Sequence, residues 1–187
     1  PRSEAYAADI ALAKSGNLIN SLVYRNLRAA SESGWDLSSR WKAASEDWYM
    51  AQTTHILSVD LNSLLYQTEA TLLKMYRQLK NDPKAYDMEV RMERRKQAMF
   101  KYCWNEEKGY FFDYDFVEGK QSENLNLAGV YPLFVNMATP QRAFAVAEVL
   151  EKELLKAGGL VVSTENSGKV YDAPNGLPGL HWVAING

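Results

Sequence analysis

Apolar positions along this chain recur mostly at intervals of three and four residues, which places side chains on one face of an α-helix. The clearest case is 58–81, SVDLNSLLYQTEATLLKMYRQLKN, where Leu61, Leu64, Leu65, Thr68, Leu72, Met75 and Leu79 form one stripe. Ser58 or Asp60 is placed to cap its start. The Asn-Asp-Pro turn follows, with Pro83 suited to a first helical turn. PKAYDMEVRMERRKQAMFKYCW then makes a return helix, so the two form an antiparallel hairpin. Upstream, EAYAADIALAKSG reads as a short helix stopped at Gly16, and NSLVYRNLRAASES as another with Leu22, Val23, Leu27 and Ala30 on one side. Downstream, LNLAGVYPLFVNM is a mostly apolar helix. TPQRAFAVAEVLEKELLKAGG is a further one, with Thr139 as N-cap, Pro140 at the first position and Gly158-Gly159 at its end. LHWVAING opens one more.

Polar and aromatic segments interrupt these helices. WNEEKGYFFDYDFVEGKQ alternates aromatic and polar residues around Lys108-Gly109 and Glu118-Gly119, which predicts a short β-hairpin or irregular loop. LVVST is a short strand candidate, and KVYDAPNGLPG is a loop of turn residues with one acid. Helices in pairs, separated by such loops, predict an all-α fold of the toroid kind, in which helical hairpins stand side by side in a ring. A closed (α/α)6 ring needs about twelve helices, whereas this pattern supplies six and the opening of a seventh. Residues 1–187 therefore read as one domain, expected to be a piece of a larger toroid with short β-hairpin insertions; a small self-contained helical bundle is the other reading.

Composition narrows the function classes. The 187 residues are 47% hydrophobic and 24% charged, with a net charge of −2. That balance argues against nucleic acid as the main partner, because phosphate binding needs a basic surface. Cys103 is the only cysteine, so no internal disulfide and no cysteine-built metal site is expected. His55 and His181 have no carboxylate at metal-ligand spacing, and no metal or cofactor is implied. No apolar run reaches the length of a membrane span. The chain shows no signal peptide and begins at Pro1.

The chemistry concentrates in ESGWDLSSRW, residues 32–41. It holds two tryptophans, two acids, three serines and Arg40, and almost nothing aliphatic. A carboxylate beside indole rings suits sugar binding: aromatic faces pack on the C–H faces of a pyranose while acids and arginines bond its hydroxyls. Apolar shielding is also how a carboxyl is kept protonated near neutral pH for general-acid work. On residue types alone a second reading stands beside this one, a helix-to-loop turn in which Asp36 caps and the tryptophans pack. Asp113 and Asp115 of FDYDF alternate like a Ca²⁺ loop or like two solvated acids of a hairpin. MERRKQ, 92–97, reads as an exposed helix face.

Five elements, PRSEAY (1–6), ESGWDLSSRW (32–41), VDLN (59–62), YFFDYDF (110–116) and YDAPNGLPGLHW (171–182), resemble in order and spacing the C-terminal part of the α,α-trehalases of glycoside hydrolase family 37. The family 63 glucosidases carry a similar SGWD loop. The resemblance implies an inverting glycosidase acting on the disaccharide trehalose. Asp36 would be its proton donor, and Arg2, Glu4, Gly34, Trp35, Tyr171 and Asp172 its sugar contacts. Arg40 and Trp41 would support the loop. The family's catalytic base lies beyond the last residue here, so this chain would carry the acid alone and be inactive in isolation. Val170 and Tyr171 stand where the family has Gln-Trp. Leu177 replaces a second Trp, Gly179 replaces a Pro, and Gln52 an Arg. Loss of two indoles implies a reshaped sugar subsite. Another toroid α-glucosidase and a non-catalytic carbohydrate-binding relative are the alternatives. The resemblance favours a periplasmic or secreted protein only slightly, and it does not give an oligomeric state.

Overall fold

Two carboxylates set the start of one member of the central helical hairpin, and an asparagine cap with a proline sets that of the other. The computed structural model describes residues 21–36, 38–41 and 51–187. Helix α1 is Ser21–Ser33, α2 is Val59–Gln78 and α3 is Asp82–Ala98. The N-terminal helix expected at 4–16 lies outside the described residues. The α2–α3 hairpin is present as read. Asn81 caps α3 by accepting the Lys84 N–H, and Pro83 sits in the first turn. Ser58 occupies the N-cap position of α2, but its side chain makes no capping bond. Instead the Asp113 carboxylate accepts the Val59 N–H at 2.9 Å, and Asp60 Oδ1 accepts the Leu61 N–H at 2.9 Å.

The face of α2 that is buried is not the leucine stripe. Val59, Asp60, Ser63, Glu69 and Leu73 are buried, whereas Leu61, Leu64, Leu65, Met75 and Leu79 are exposed. The polar members of that face all find partners: Ser63 donates to the Val59 carbonyl within the helix, Arg40 reaches Asp60, and Glu69 is met across the hairpin. Arg95 of α3 makes a two-pronged pair with Glu69 at 2.8 and 3.0 Å and donates to Asn62 at 2.8 Å. A buried charge that finds a fitting partner can occupy a helix face that periodicity assigns to solvent. For the same reason MERRKQ is only partly a solvated face.

A turn of wider, π-type helix, Met99–Cys103, ends α3 and leads into strands. β1 (Ile56–Leu57), β4 (Tyr114–Asp115) and β5 (Lys120–Gln121) form a three-stranded antiparallel sheet; β2 (Trp104–Asn105) pairs with β3 (Tyr110–Phe111) as a separate hairpin. The aromatic segment is therefore two hairpins in succession. Tyr110, Phe111 and Phe112 are at most 3% exposed and form core, while Phe116 is half exposed.

The segment expected as one apolar helix at 125–137 is broken. A 3-10 turn, Leu127–Val130, capped by Asn126, passes into the short α4, Tyr131–Phe134. Gly129 explains the first part: a Cβ there would meet the Tyr110 ring at 2.2 Å and the Phe111 carbonyl at 2.6 Å. α5 (Pro140–Val149) begins as expected, with Thr139 accepting the Arg142 N–H, and ends in a second π-type turn, Leu150–Leu154. β6 (Leu155–Lys156) and β7 (Gly159–Leu160) then form a hairpin. The last helix is α6, Pro178–Asn186.

The chain divides into two compact units, Pro1–Asp36 with Trp41–Thr54, and Leu37–Arg40 with His55–Gly187. In the first, Asn26 of α1 is buried and its Oδ1 accepts both the backbone N–H and the hydroxyl of Thr54, at 2.9 and 2.6 Å. The second holds the strands, α2 to α6, and the short stretch Leu37–Arg40.

Candidate active site

The residues of ESGWDLSSRW are held by bonds from the loop itself and by two buried polar clusters. In the first unit, α1 ends at Ser33, whose hydroxyl donates to the Ala30 carbonyl at 2.6 Å and accepts the Trp35 N–H at 3.1 Å. Gly34 turns the chain with φ +77°, and a Cβ there would meet nothing within 4 Å. Glycine is needed at this point for its backbone rather than for close packing. The Trp41 indole N–H donates to the Trp35 carbonyl at 2.9 Å, closing the loop across six residues. Both indoles are buried, at 4% and 3% exposure, and Asp36 is half-buried.

In the second unit, Arg40 is fully buried between two carboxylates. Its Nε and Nη2 donate to Asp113 at 2.6 and 2.8 Å, and its Nη1 and Nη2 to Asp60 at 2.8 and 2.7 Å. Two such forks match guanidinium geometry on both edges. Burial works against the charge on Arg40, but Asp113 and Asp60 overcome it and raise its pKa. Burial likewise works against ionised Asp60, yet Arg40 and the backbone N–H groups hold its pKa below 3.8. The triad carries one excess negative charge. Asp60 lies in the first turn of α2 and Asp113 accepts the Val59 N–H, so the positive end of the helix dipole offsets it. Asp113 is thus no solvated hairpin acid. Nor is Asp115, which is 8% exposed and accepts the N–H groups of Val117 and Glu118 at 2.9 Å.

The second cluster gathers on Asp172, which is 0% exposed. Oδ1 accepts the hydroxyls of Ser39 at 2.8 Å, Ser163 at 3.0 Å and Ser38 at 3.4 Å. Oδ2 accepts the Ser39 N–H at 2.9 Å and the Ser167 hydroxyl. Each serine hydroxyl that donates also accepts: from Arg40 N–H at Ser38, Asn124 Nδ2 at Ser39, Glu165 N–H at Ser163 and Lys169 N–H at Ser167. A carboxylate offers about four acceptor positions, and here all are taken by the protein. The expectation that Asp172 lines a sugar site meets a residue with no exposed surface and no spare lone pair. Tyr171 beside it is half-buried, and its carbonyl lies 3.4 Å from the Ser38 hydroxyl.

The 171–182 segment has its own strut. His181 Nε2 bonds the Leu160 carbonyl at 2.6 Å, and a Cβ on Gly176 would fall 2.8 Å from that carbonyl and 2.9 Å from that nitrogen. Arg2 and Glu4, the other expected sugar contacts, lie outside the described residues. Asp60, Asp113, Ser163 and Asn124 were not singled out for the site from sequence. A signal existed for two of them, since Val-Asp-Leu and Phe-Asp-Tyr set an acid in an apolar run, where it needs a cation. Among the described residues no group of three or more His, Cys, Asp or Glu is placed to hold a metal ion, and no helix is long and apolar enough to cross a membrane.

With this geometry in view, the relatives are informative. The family model described as Trehalase matches residues 1–187. The periplasmic trehalases of Salmonella paratyphi B and Salmonella typhimurium are 41% and 40% identical to the chain over 188 residues. The match takes in the whole chain, which spans about a third of the length of these relatives, 33%. Among solved structures, neutral trehalase Nth1 from Saccharomyces cerevisiae matches 92% of the chain and 34% of its own at a TM-score of 0.78 and 22% identity, which shows the same fold. The GH63 mannosylglycerate hydrolase of Thermus thermophilus, with Tris bound, matches 68% of the chain and 29% of its own at 0.54 and 26%. The helical-toroid expectation and the resemblance read from the five sequence elements agree with these matches. By the match of the family model over all 187 residues and these 40–41% identities, the chain belongs to the trehalase family.

Proposed function

We propose that this chain is the acid-bearing part of an enzyme that hydrolyses α,α-trehalose to two molecules of glucose with inversion. The observation that carries the reading is the trehalase-family match over residues 1–187, in which SGWDLSSRW stands intact. Asp36 gives its proton to the oxygen between the two glucoses as the C1–O bond breaks. A water attacks C1 from the opposite face and yields its proton to a base outside this chain. In an inverting pair the two carboxyl groups stand roughly 6.5–9.5 Å apart, which leaves room for that water. Arg2, Glu4, Gly34, Trp35 and Tyr171 contribute the sugar contacts on this side. Without the base, the isolated chain turns over no substrate.

The buried clusters support this reading because a general acid must be held in register with the leaving oxygen. Spending three carboxylates, an arginine and several serines on one ten-residue loop is costly for a mere turn. The test is glucose release from trehalose, with maltose and kojibiose alongside, by the longest polypeptide that contains this chain and by its Asp36→Asn variant. Trehalose-only hydrolysis that falls by ~10²–10⁴-fold in the variant is the expected result. Hydrolysis of maltose or kojibiose in place of trehalose would move the assignment to a family 63-like glucosidase. Absence of any hydrolysis would leave a carbohydrate-binding relative.

A further inference from the structure

We infer that Asp172 is a positioning residue for the general acid and makes no contact with the sugar. This rests on the reading of Asp36 as that acid. Five protein donors saturate the Asp172 carboxylate, and none of its surface is open. Two of the residues it holds, Ser38 and Ser39, follow Asp36 by two and three positions. The carboxylate therefore holds two of the first three residues that follow the acid in sequence. Ser163 and Ser167 tie the same carboxylate to its own loop, so residues 38–39 and 163–172 share one anchor, 133 residues from Ser39 in sequence.

Serine hydroxyls suit this task. They are short, they lose little freedom on ordering, and each donates to Asp172 while accepting a backbone or amide N–H. An arginine in their place would neutralise the carboxylate but could not also hold those N–H groups. Beside it, the Arg40 forks hold the next residue of the same stretch to Asp60 and Asp113, and the Arg40 N–H joins the two clusters at Ser38. Between them, three consecutive residues after Leu37 are anchored to three separate carboxylates.

The test separates positioning from sugar contact by leaving group. Trehalose needs a proton on its departing oxygen. α-Glucosyl fluoride does not: water attacks C1, the C1–F bond breaks and fluoride leaves as the anion, while the base takes the water's proton. The full-length polypeptide is assayed on both substrates as wild type, Asp36→Asn, Asp172→Asn and Ser39→Ala, with thermal melts to confirm folding. Asp172→Asn is expected to lower kcat on trehalose by ~100-fold, the scale of a small misplacement of a catalytic group, and to leave KM and fluoride hydrolysis within a few-fold. Ser39→Ala, which removes one bond, is expected to show the same selectivity at about five-fold and covers the case in which Asp172→Asn does not fold. Equal losses on both substrates, a rise in KM, or no loss in either variant overturn the inference. Asp36→Asn by itself judges the underlying reading: if it spares trehalose, or loses both substrates alike, Asp36 is not the acid and the positioning role falls with it.

Discussion

Asp113 Oδ2 accepts a hydrogen bond from Arg40 Nε at 2.6 Å across 73 residues of sequence, and the same carboxylate caps helix α2 at Val59. One acid thus joins the catalytic-loop candidate to the start of the central hairpin. Breaking a buried pair by removing one partner is expensive because the other charge stays behind. Arg40→Met in the full-length polypeptide is expected to cost ~3–5 kcal/mol of stability, read by chemical denaturation. Arg40→Lys is expected to recover little, since an ammonium cannot make two parallel forks. A loss under about 1 kcal/mol, the range of a surface pair, would refute the buried-triad account.

Asp60 gives this triad a pH signature. Its folded-state pKa lies below the ordinary value of 3.8, so its contribution to stability is complete above that value and is lost as pH falls through the folded one. The melting temperature is expected to be insensitive to Asp60 from pH 5 to 8 and to drop below about pH 4. Asp60→Asn lowers the neutral-pH plateau and flattens that acid limb. Melts of the two proteins at matched pH check both parts; an unchanged acid limb in Asp60→Asn counts against the assignment.

Gly129 is a packing constraint on the aromatic core. Its neighbours are the Tyr110 ring and a backbone carbonyl, neither of which can step aside cheaply. Gly129→Ala is expected to destabilise by ~1–3 kcal/mol or more, whereas Gly179→Ala, where a Cβ meets nothing within 4 Å, is expected to be near neutral. Similar melting temperatures for the two variants would contradict the geometry.

Trp41 closes the loop that carries Asp36 through its indole bond to the Trp35 carbonyl. Trp41→Phe removes that donor at a stability cost of about 1 kcal/mol. Because the bond lies one peptide before Asp36, kcat on trehalose is expected to fall more than KM rises. A variant with wild-type kcat would show that the loop keeps its shape without it.

Cys103 is 2% exposed, and burial with the nearby Asp113 charge pushes its thiol up to about 12. Only the thiolate reacts with alkylating agents. At pH 8 the native protein is expected to leave Cys103 unmodified by iodoacetamide over a time in which the denatured protein reacts fully, as peptide mass spectrometry would show. Rapid native labelling would place the thiol at the surface.

The helical hairpin, the cap at Thr139, and the turns at Pro83 and Pro140 were all legible, because each depends on bonds within a few residues. The burial of α2 was not. Its leucines recur at helical spacing, yet Asp60, Ser63 and Glu69 face inward, because Arg40 and Arg95 arrive from elsewhere to satisfy the two acids. The 125–137 segment was misread for a similar reason. Its apolar run carries no mark of the Tyr110 ring that presses on Gly129 and holds a tight turn.

By itself the sequence determined the family, the all-α class and the identity of the loop that carries Asp36, since these rest on residue order and local periodicity. Tertiary structure alone decided what the surrounding residues are for. Asp113 became a clamp on Arg40, and Asp172 an anchor for two serines instead of an open acid beside a sugar. The physical reason is that a carboxylate's role is set by which donors reach it, and here those donors come from 73 and 133 residues away.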